Sequence, residues 1–173
     1  MEKIIIEKIE VPHRAMATYE FTPLDYVDAF CVKLFDDLPL SMTELAHHLF
    51  GKIESYPAYV RFLLRLRDLL VKPFGLHTAT DMEEMIDDVD WIGFFKIYQR
   101  SEDEIIIGAD DKHLDVRVSL LRTVHDDKPF LTVSTFVRMN NFLGKVYFAV
   151  IKPFHKIIVP ATIKKHFYSL KRP

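Results

Sequence analysis

Two periodicities divide this chain. Across its middle, apolar and polar residues alternate at every second position in four runs: Trp91 to Arg100, Ile105 to Gly108, Leu114 to Leu121, and Phe130 to Met139. Period two marks strands with one buried face. The runs are separated by Ser101-Glu102-Asp103, by Gly108-Ala109-Asp110-Asp111, and by His125-Asp126-Asp127-Lys128-Pro129. Such short turns predict antiparallel hairpins, hence a meander. Along the third run Leu114, Val116, Val118 and Leu120 face one way, and His113, Asp115, Arg117 and Ser119 the other.

An earlier strand is predicted over 26–34, where Tyr26, Phe30, Val32 and Leu34 collect on one face. Ser41 and Glu44 form an S-x-x-E capping box, Leu40 and Leu45 sit where a hydrophobic staple would, and Gly51 is placed as a stop. A helix over 42–50 follows. A second helix is predicted over 56–71, with Tyr59, Leu63, Leu66 and Leu70 in one stripe, ended by Pro73 and Gly75. Asp81 to Asp90 is an acidic connector. From Gly144 onward Tyr147, Val150, Phe154, Ile158 and Ala161 recur near helical spacing, with Lys145, Lys152 and Lys156 on another side. This predicts a long terminal helix. Pro153 and Pro160 each remove an amide donor, so bends or breaks are expected there.

This order predicts an α+β fold in which the terminal helix covers one face of the sheet, because a single apolar sheet face cannot stay wet. Charge sharpens the picture. Lys128 to Pro173 holds nine Lys or Arg and no acid, while Asp81 to Asp127 holds fourteen acids against five bases. A basic helix packed on an acidic β-rich middle is the expectation. At 173 residues the chain fits one domain, 1–173, whose residues 1–20 form an arm or an edge strand. The fourteen Phe raise the odds of a lined cavity, although a rich core explains them too.

Cys31 is the single cysteine, which excludes an intramolecular disulfide and fits a reducing compartment. The opening MEKIIIEKIE lacks the apolar stretch of a secretory signal, so a cytoplasmic location is expected. The longest uncharged apolar run, Val146 to Ile151, is six residues, which predicts no transmembrane segment. Lys145, Lys152, Lys156, Lys164 and Lys165 beside Phe and Ile leave peripheral membrane contact open. A pI near 6.4 and the lack of a binding motif argue against nucleic acid.

The segments LLRLRDLLVKPFGL (63–76), GADDKHLDVRVS (108–119) and NNFLGKVYFAVIKPFHKIIVPA (140–161) resemble an uncharacterised bacterial domain family of the SRPBCC superfamily. That superfamily is the START and birch-pollen-allergen-like helix-grip group. The resemblance spans most of 25–168. It implies a helix-grip fold, an antiparallel sheet wrapped around a long kinked C-terminal helix with two short helices after the first strand. It also implies a cavity for apolar or amphipathic molecules. The family also occurs fused to NAD(P)-binding short-chain-dehydrogenase-like domains, which implies partnership with such a protein. This chain carries no such domain, and its five isolated glycines form no dinucleotide fingerprint, so no cofactor is expected.

Candidate chemistry is sparse. Asp111, His113 and Asp115 carry ligand types suited to zinc or iron, but two-residue steps of ~7 Å along a strand spread them too widely, and no metal is expected. His113 with Asp115 and Arg117 would suit acid–base work or ligand orientation inside a cavity; if Leu114, Val116 and Val118 pack under the helix instead, they point away. Asn140 and Asn141 suit a helix cap, and His155 either meets a ligand or satisfies a freed carbonyl at the Pro153 kink. A nucleophilic Cys31 would need a spatially adjacent His that the sequence does not reveal, and no nucleophile elbow occurs. The expected wall residues are Trp91, Phe95, Phe136, Tyr147 and Phe154, joined by His113, Arg117 and His155.

Three functions remain open. One is a binding protein for an apolar or amphipathic small molecule. The second is an enzyme using His113 and Asp115, with Arg117 or Lys152 holding an anionic group. The third is an interaction or regulatory partner of redox enzymes with a filled core.

Overall fold

The computed structural model describes residues 4–15, 21–35, 38–51, 90–93 and 95–170. These form an α+β fold: seven antiparallel strands in one open sheet, with a short helix after the first strands and a long C-terminal helix. In chain order the elements are β1 (Ile6–Ile9), β2 (Tyr26–Lys33), α1 (Met42–Phe50), β3 (Trp91–Ile92), β4 (Phe95–Arg100), β5 (Glu104–Asp110), β6 (Leu114–His125), β7 (Lys128–Met139) and α2 (Phe142–Leu170). The sheet order is β1-β2-β7-β6-β5-β4-β3. The helix expected over 56–71 and most of the acidic connector lie outside the described residues.

The predicted meander is present, with longer strands than periodicity alone marked. β6 and β7 pair over twelve residues each, from Leu114 opposite Met139 to His125 opposite Lys128. Asp126 and Asp127 close that hairpin with φ of 50° and 57°. Both sit in the left-handed region that a two-residue type I′ turn requires and that Asp tolerates better than most residues. The run expected as one strand over Trp91 to Arg100 is two, because Gly93 at φ 59° turns the chain back on itself. α1 begins where the capping box places it: the Ser41 hydroxyl accepts from the Glu44 amide, and the Glu44 carboxylate accepts from the Ser41 amide at 2.8 Å.

Sheet parity sorts the core into two layers. Phe30 and Val32 from β2, Leu131 and Val133 from β7, Val118 and Leu120 from β6, and Ile105 and Ile107 from β5 share one face with α1 and with Ile163 and Phe167 of α2. Phe136, Leu121 and Ile106 point from the opposite face into a smaller cluster under Ala15 and Phe21. Val118 lies in the helix-side core and Val116 packs against it, so Asp115 and Arg117 emerge from the other face.

α2 runs unbroken for 29 residues through Pro153 and Pro160. Its packing differs from the expected stripe. Gly144 and Phe148 are buried near its start and Thr162, Ile163, His166 and Phe167 near its end, with no buried residue between Phe148 and Thr162. Val150 and Phe154, expected to face inward, are exposed. A helix of mixed apolar character on several sides gives periodicity no unique inner face, and here tertiary anchoring at the two ends decides. By length and composition α2 is the one helix among the described residues apolar enough to cross a membrane. Its C-terminal half, however, supplies Ile163 and Phe167 to the core.

Candidate functional site

Under the middle of α2 lies a buried carboxylate. Asp28 of β2 shares parity with Phe30 and Val32, so the strand turns it toward the helix side, where only 4% of it is exposed. A bare carboxylate there would cost several kcal/mol of lost hydration. Three donors offset that cost. The Tyr26 hydroxyl, two residues away on the same strand face, donates to Oδ2 at 2.7 Å. His155 of α2 brings Nε2 to 3.3 Å from Oδ1. Thr135, directly opposite in the β2–β7 register, adds its side-chain hydrogen bond.

Burial alone would raise the Asp28 pKa, but the hydrogen bond and charge of His155, with the bonds from Tyr26 and Thr135, hold it below its ordinary value. Asp28 is therefore an anion at neutral pH. The Tyr26 phenol is pushed up, first by burial, then by its bond to Asp28 and by that anion's charge. It stays protonated and keeps donating. Its ring stacks at a tilt on Phe148 with centroids 4.8 Å apart, and meets the His155 ring edge-on at 6.1 Å. The Lys152 ammonium lies 5.0 Å from the Tyr26 ring centroid. That ammonium has no carboxylate partner among the described residues, so an anionic group could still be accommodated beside it.

The remaining sequence-derived positions are scattered. His113 sits in the β5–β6 turn, its Nδ1 within 3.0 Å of the Asn141 side-chain amide, and Asn141 caps α2 by accepting from the Gly144 amide at 3.0 Å. Arg117 lies on the face away from α2. Its guanidinium grips Asp110 through bonds of 2.6 and 3.2 Å and covers the Tyr98 ring at 3.5 Å. Asp115 is buried there too, paired with Arg138 at 2.7 Å, and both Arg117 and Arg138 stack on Phe21. Parity thus turns Asp115 and Arg117, expected to line a space between sheet and helix, onto the other face, while His113, expected there too, sits in the turn against the Asn141 cap of α2. Phe136, also expected there, is fully buried on the far face for the same reason.

Trp91 belongs to the edge strand β3, and Phe95 packs edge-on against Phe50 of α1. Their strands are four and five steps from β2, about 19 to 24 Å away at ~4.8 Å per strand. Phe154 is exposed on α2 and Tyr147 is half-buried. Of the expected residues, His155 alone is brought to the carboxylate, joined by Lys152 at the rim. Tyr26, Asp28 and Thr135 were missed. The available signal was a lone charged residue on the otherwise apolar face of the YVDAFCVK strand.

A family profile described as a protein of unknown function (DUF2867) matches residues 21–162. The chain belongs to this family. The matched span contains Tyr26, Asp28, Thr135, Lys152 and His155, and also the capping residues Asn141 and Gly144. No curated protein and no solved structure matches the chain significantly. Among the described residues no group of three or more His, Cys, Asp or Glu could hold a metal ion.

Proposed function

We propose that this DUF2867 domain is a helix-grip member of the SRPBCC superfamily that binds an amphipathic small molecule between its sheet and the middle of α2. The observation that carries this reading is Asp28, a buried anion held by Tyr26, Thr135 and His155 beneath a stretch of helix in which no residue between Phe148 and Thr162 is fully buried. The inward-facing residues of that stretch, Ile151, His155, Ile158 and Val159, are only half-buried. Apolar side chains around a few convergent polar groups suit small-molecule recognition, and a perturbed carboxylate in such a place is a reasonable site marker.

Hydrogen-bond valence narrows the ligand. The Asp28 carboxylate is occupied by three donors, and an ionised carboxylate cannot itself donate. What the group leaves unspent is acceptor capacity: the lone pairs of the Tyr26 oxygen and, when His155 carries a single proton on Nε2 toward Asp28, Nδ1 of that imidazole. The ligand's polar end should therefore carry a donor, a hydroxyl or an amide N–H. Lys152 would favour an additional anionic group. The apolar part would lie along Ile151, Ile158 and Val159.

Native mass spectrometry of protein purified from its own host tests this. A copurifying molecule retained by the wild type and by Tyr98→Phe, on the opposite sheet face, but lost from folded Asp28→Asn supports the site. An adduct indifferent to Asp28→Asn contradicts it.

The Asp28–His155 contact also favours a second reading. A carboxylate that orients an imidazole leaves Nδ1 placed to take a proton from a bound hydroxyl. Turnover of the copurifying molecule that disappears in His155→Gln while the adduct persists would convert binding protein into enzyme.

A further inference from the structure

The side of α2 that faces away from the sheet is apolar. Six of the ten large hydrophobic side chains exposed among the described residues fall within Phe142 to Ile157: Phe142, Leu143, Val146, Val150, Phe154 and Ile157. Phe142 is 76% exposed and Ile157 is 65% exposed. At 100° per residue the six fall within an arc of about 120°, roughly opposite the face that buries Gly144, Phe148 and Thr162. The outer face of a surface helix is ordinarily polar, and a contiguous apolar patch marks a surface that meets something. The outer face of α2 is a hydrophobic stripe bordered by lysines.

The charge identifies the partner. Lys145, Lys152 and Lys156 are exposed along one border of the stripe, and none has a carboxylate partner among the described residues. From Lys128 to Pro173 there is no acid at all. A second copy seated on this face would bring unscreened lysines against lysines. An anionic lipid headgroup layer meets both demands, since it accepts the apolar side chains to a shallow depth and neutralises the flanking ammonium groups.

We propose that the outer face of α2, from Phe142 to Ile157, docks in plane on an anionic lipid surface. The docking is peripheral, because the C-terminal half of the same helix is committed to the protein core. Lys152 borders both this surface and the ligand site; the apolar stripe itself lies on the opposite side of α2 from Asp28 and His155.

Cosedimentation with vesicles tests it. Wild-type protein should bind phosphatidylcholine vesicles containing phosphatidylglycerol at least about tenfold more tightly than pure phosphatidylcholine vesicles, from roughly 1 kcal/mol per lysine near the surface. Val150→Glu with Ile157→Glu should abolish that binding while circular dichroism and the melting temperature stay unchanged, because both side chains are exposed. Lys145→Glu with Lys156→Glu should remove the preference for phosphatidylglycerol. Failure of the wild type to bind the anionic vesicles overturns the proposal. So does a concentration-dependent dimer in analytical ultracentrifugation that Val150→Glu with Ile157→Glu dissociates, which would assign the stripe to a second copy.

Discussion

Gly144, at the start of α2, lies against the backbone carbonyl of His113, so closely that a Cβ there would overlap that oxygen. The two residues join the β5–β6 turn to the start of the helix. Asn141 completes the join by donating to the Lys112 carbonyl at 2.9 Å, while the Asn140 amide donates to the His113 carbonyl at 2.9 Å. Gly144→Ala should destabilise the fold by about 1 to 3 kcal/mol, the usual cost of forcing volume into a packed contact. Urea denaturation measures it. An unchanged midpoint would mean that the helix start can move.

Arg117 is expected to act on stability and not on ligand. Its guanidinium lies between Tyr98 and Phe21 and grips Asp110, on the face away from α2. Arg117→Met should lower stability by about 1 to 2 kcal/mol through lost cation–π and charge-assisted bonds, with any copurifying adduct retained. Loss of the adduct from a folded Arg117→Met protein would return this residue to the binding site.

His166 should make the fold sensitive to mild acid. Burial, helped by the charges of His48 and Lys165, pushes its pKa down to about 4, and the His48 ring packs edge-on against it at 5.5 Å. The unfolded chain, with histidine near its ordinary ~6.5, then binds more protons than the folded one across the interval between those values. Stability should fall as pH drops through that window and level off below it. Melting temperatures between about pH 7 and about pH 5 should decline in the wild type and decline less in His166→Gln.

Asp28 should act in a different window. Its folded pKa is depressed, so its contribution is present above the ordinary carboxylate value and is lost as pH falls further, through the folded value. In Asp28→Asn the side-chain NH2 replaces one carboxylate oxygen and meets either the Tyr26 hydroxyl or His155 Nε2 as donor against donor, while the remaining oxygen still accepts from the other. That variant should lose about 1 to 3 kcal/mol at neutral pH, the usual penalty for mismatched buried polar groups. It should also lose the acid-induced step below the ordinary carboxylate range, which distinguishes charge loss from a packing defect. Equilibrium urea unfolding at neutral pH and below that range measures both.

Legibility followed the range of the interactions. α1 could be bounded to the residue because the Ser41–Glu44 box and the Gly51 stop are local. The β6–β7 hairpin was visible because Asp126 and Asp127 mark their own turn, although the ladder continues to Lys128 beyond the strictly alternating stretch. The site was not legible. Asp28 and His155 are 127 positions apart in sequence and meet only after β7 has inserted beside β2 and α2 has crossed the sheet. The third alternating run offered His113, Asp115 and Arg117 more conspicuously, yet one step of parity turns Asp115 and Arg117 away from the helix, and His113 falls in the turn before the strand. The inner face of α2 was equally hidden, since Val150 and Phe154 fit a 3.6-residue stripe as well as Phe148 and His155 fit the packed one.

The binding account depends on His155 presenting Nδ1 to a ligand donor while Nε2 stays on Asp28. The most direct measurement is the imidazole nitrogen NMR spectrum of His155, assigned through His155→Gln, during titration with 2-naphthol, an apolar ring bearing one hydroxyl. The expected result is a saturable shift of the Nδ1 resonance with Nε2 still protonated, absent with 2-methoxynaphthalene and absent in Asp28→Asn. A His155 spectrum unmoved by saturating 2-naphthol, or shifted equally by the methoxy compound, would contradict it.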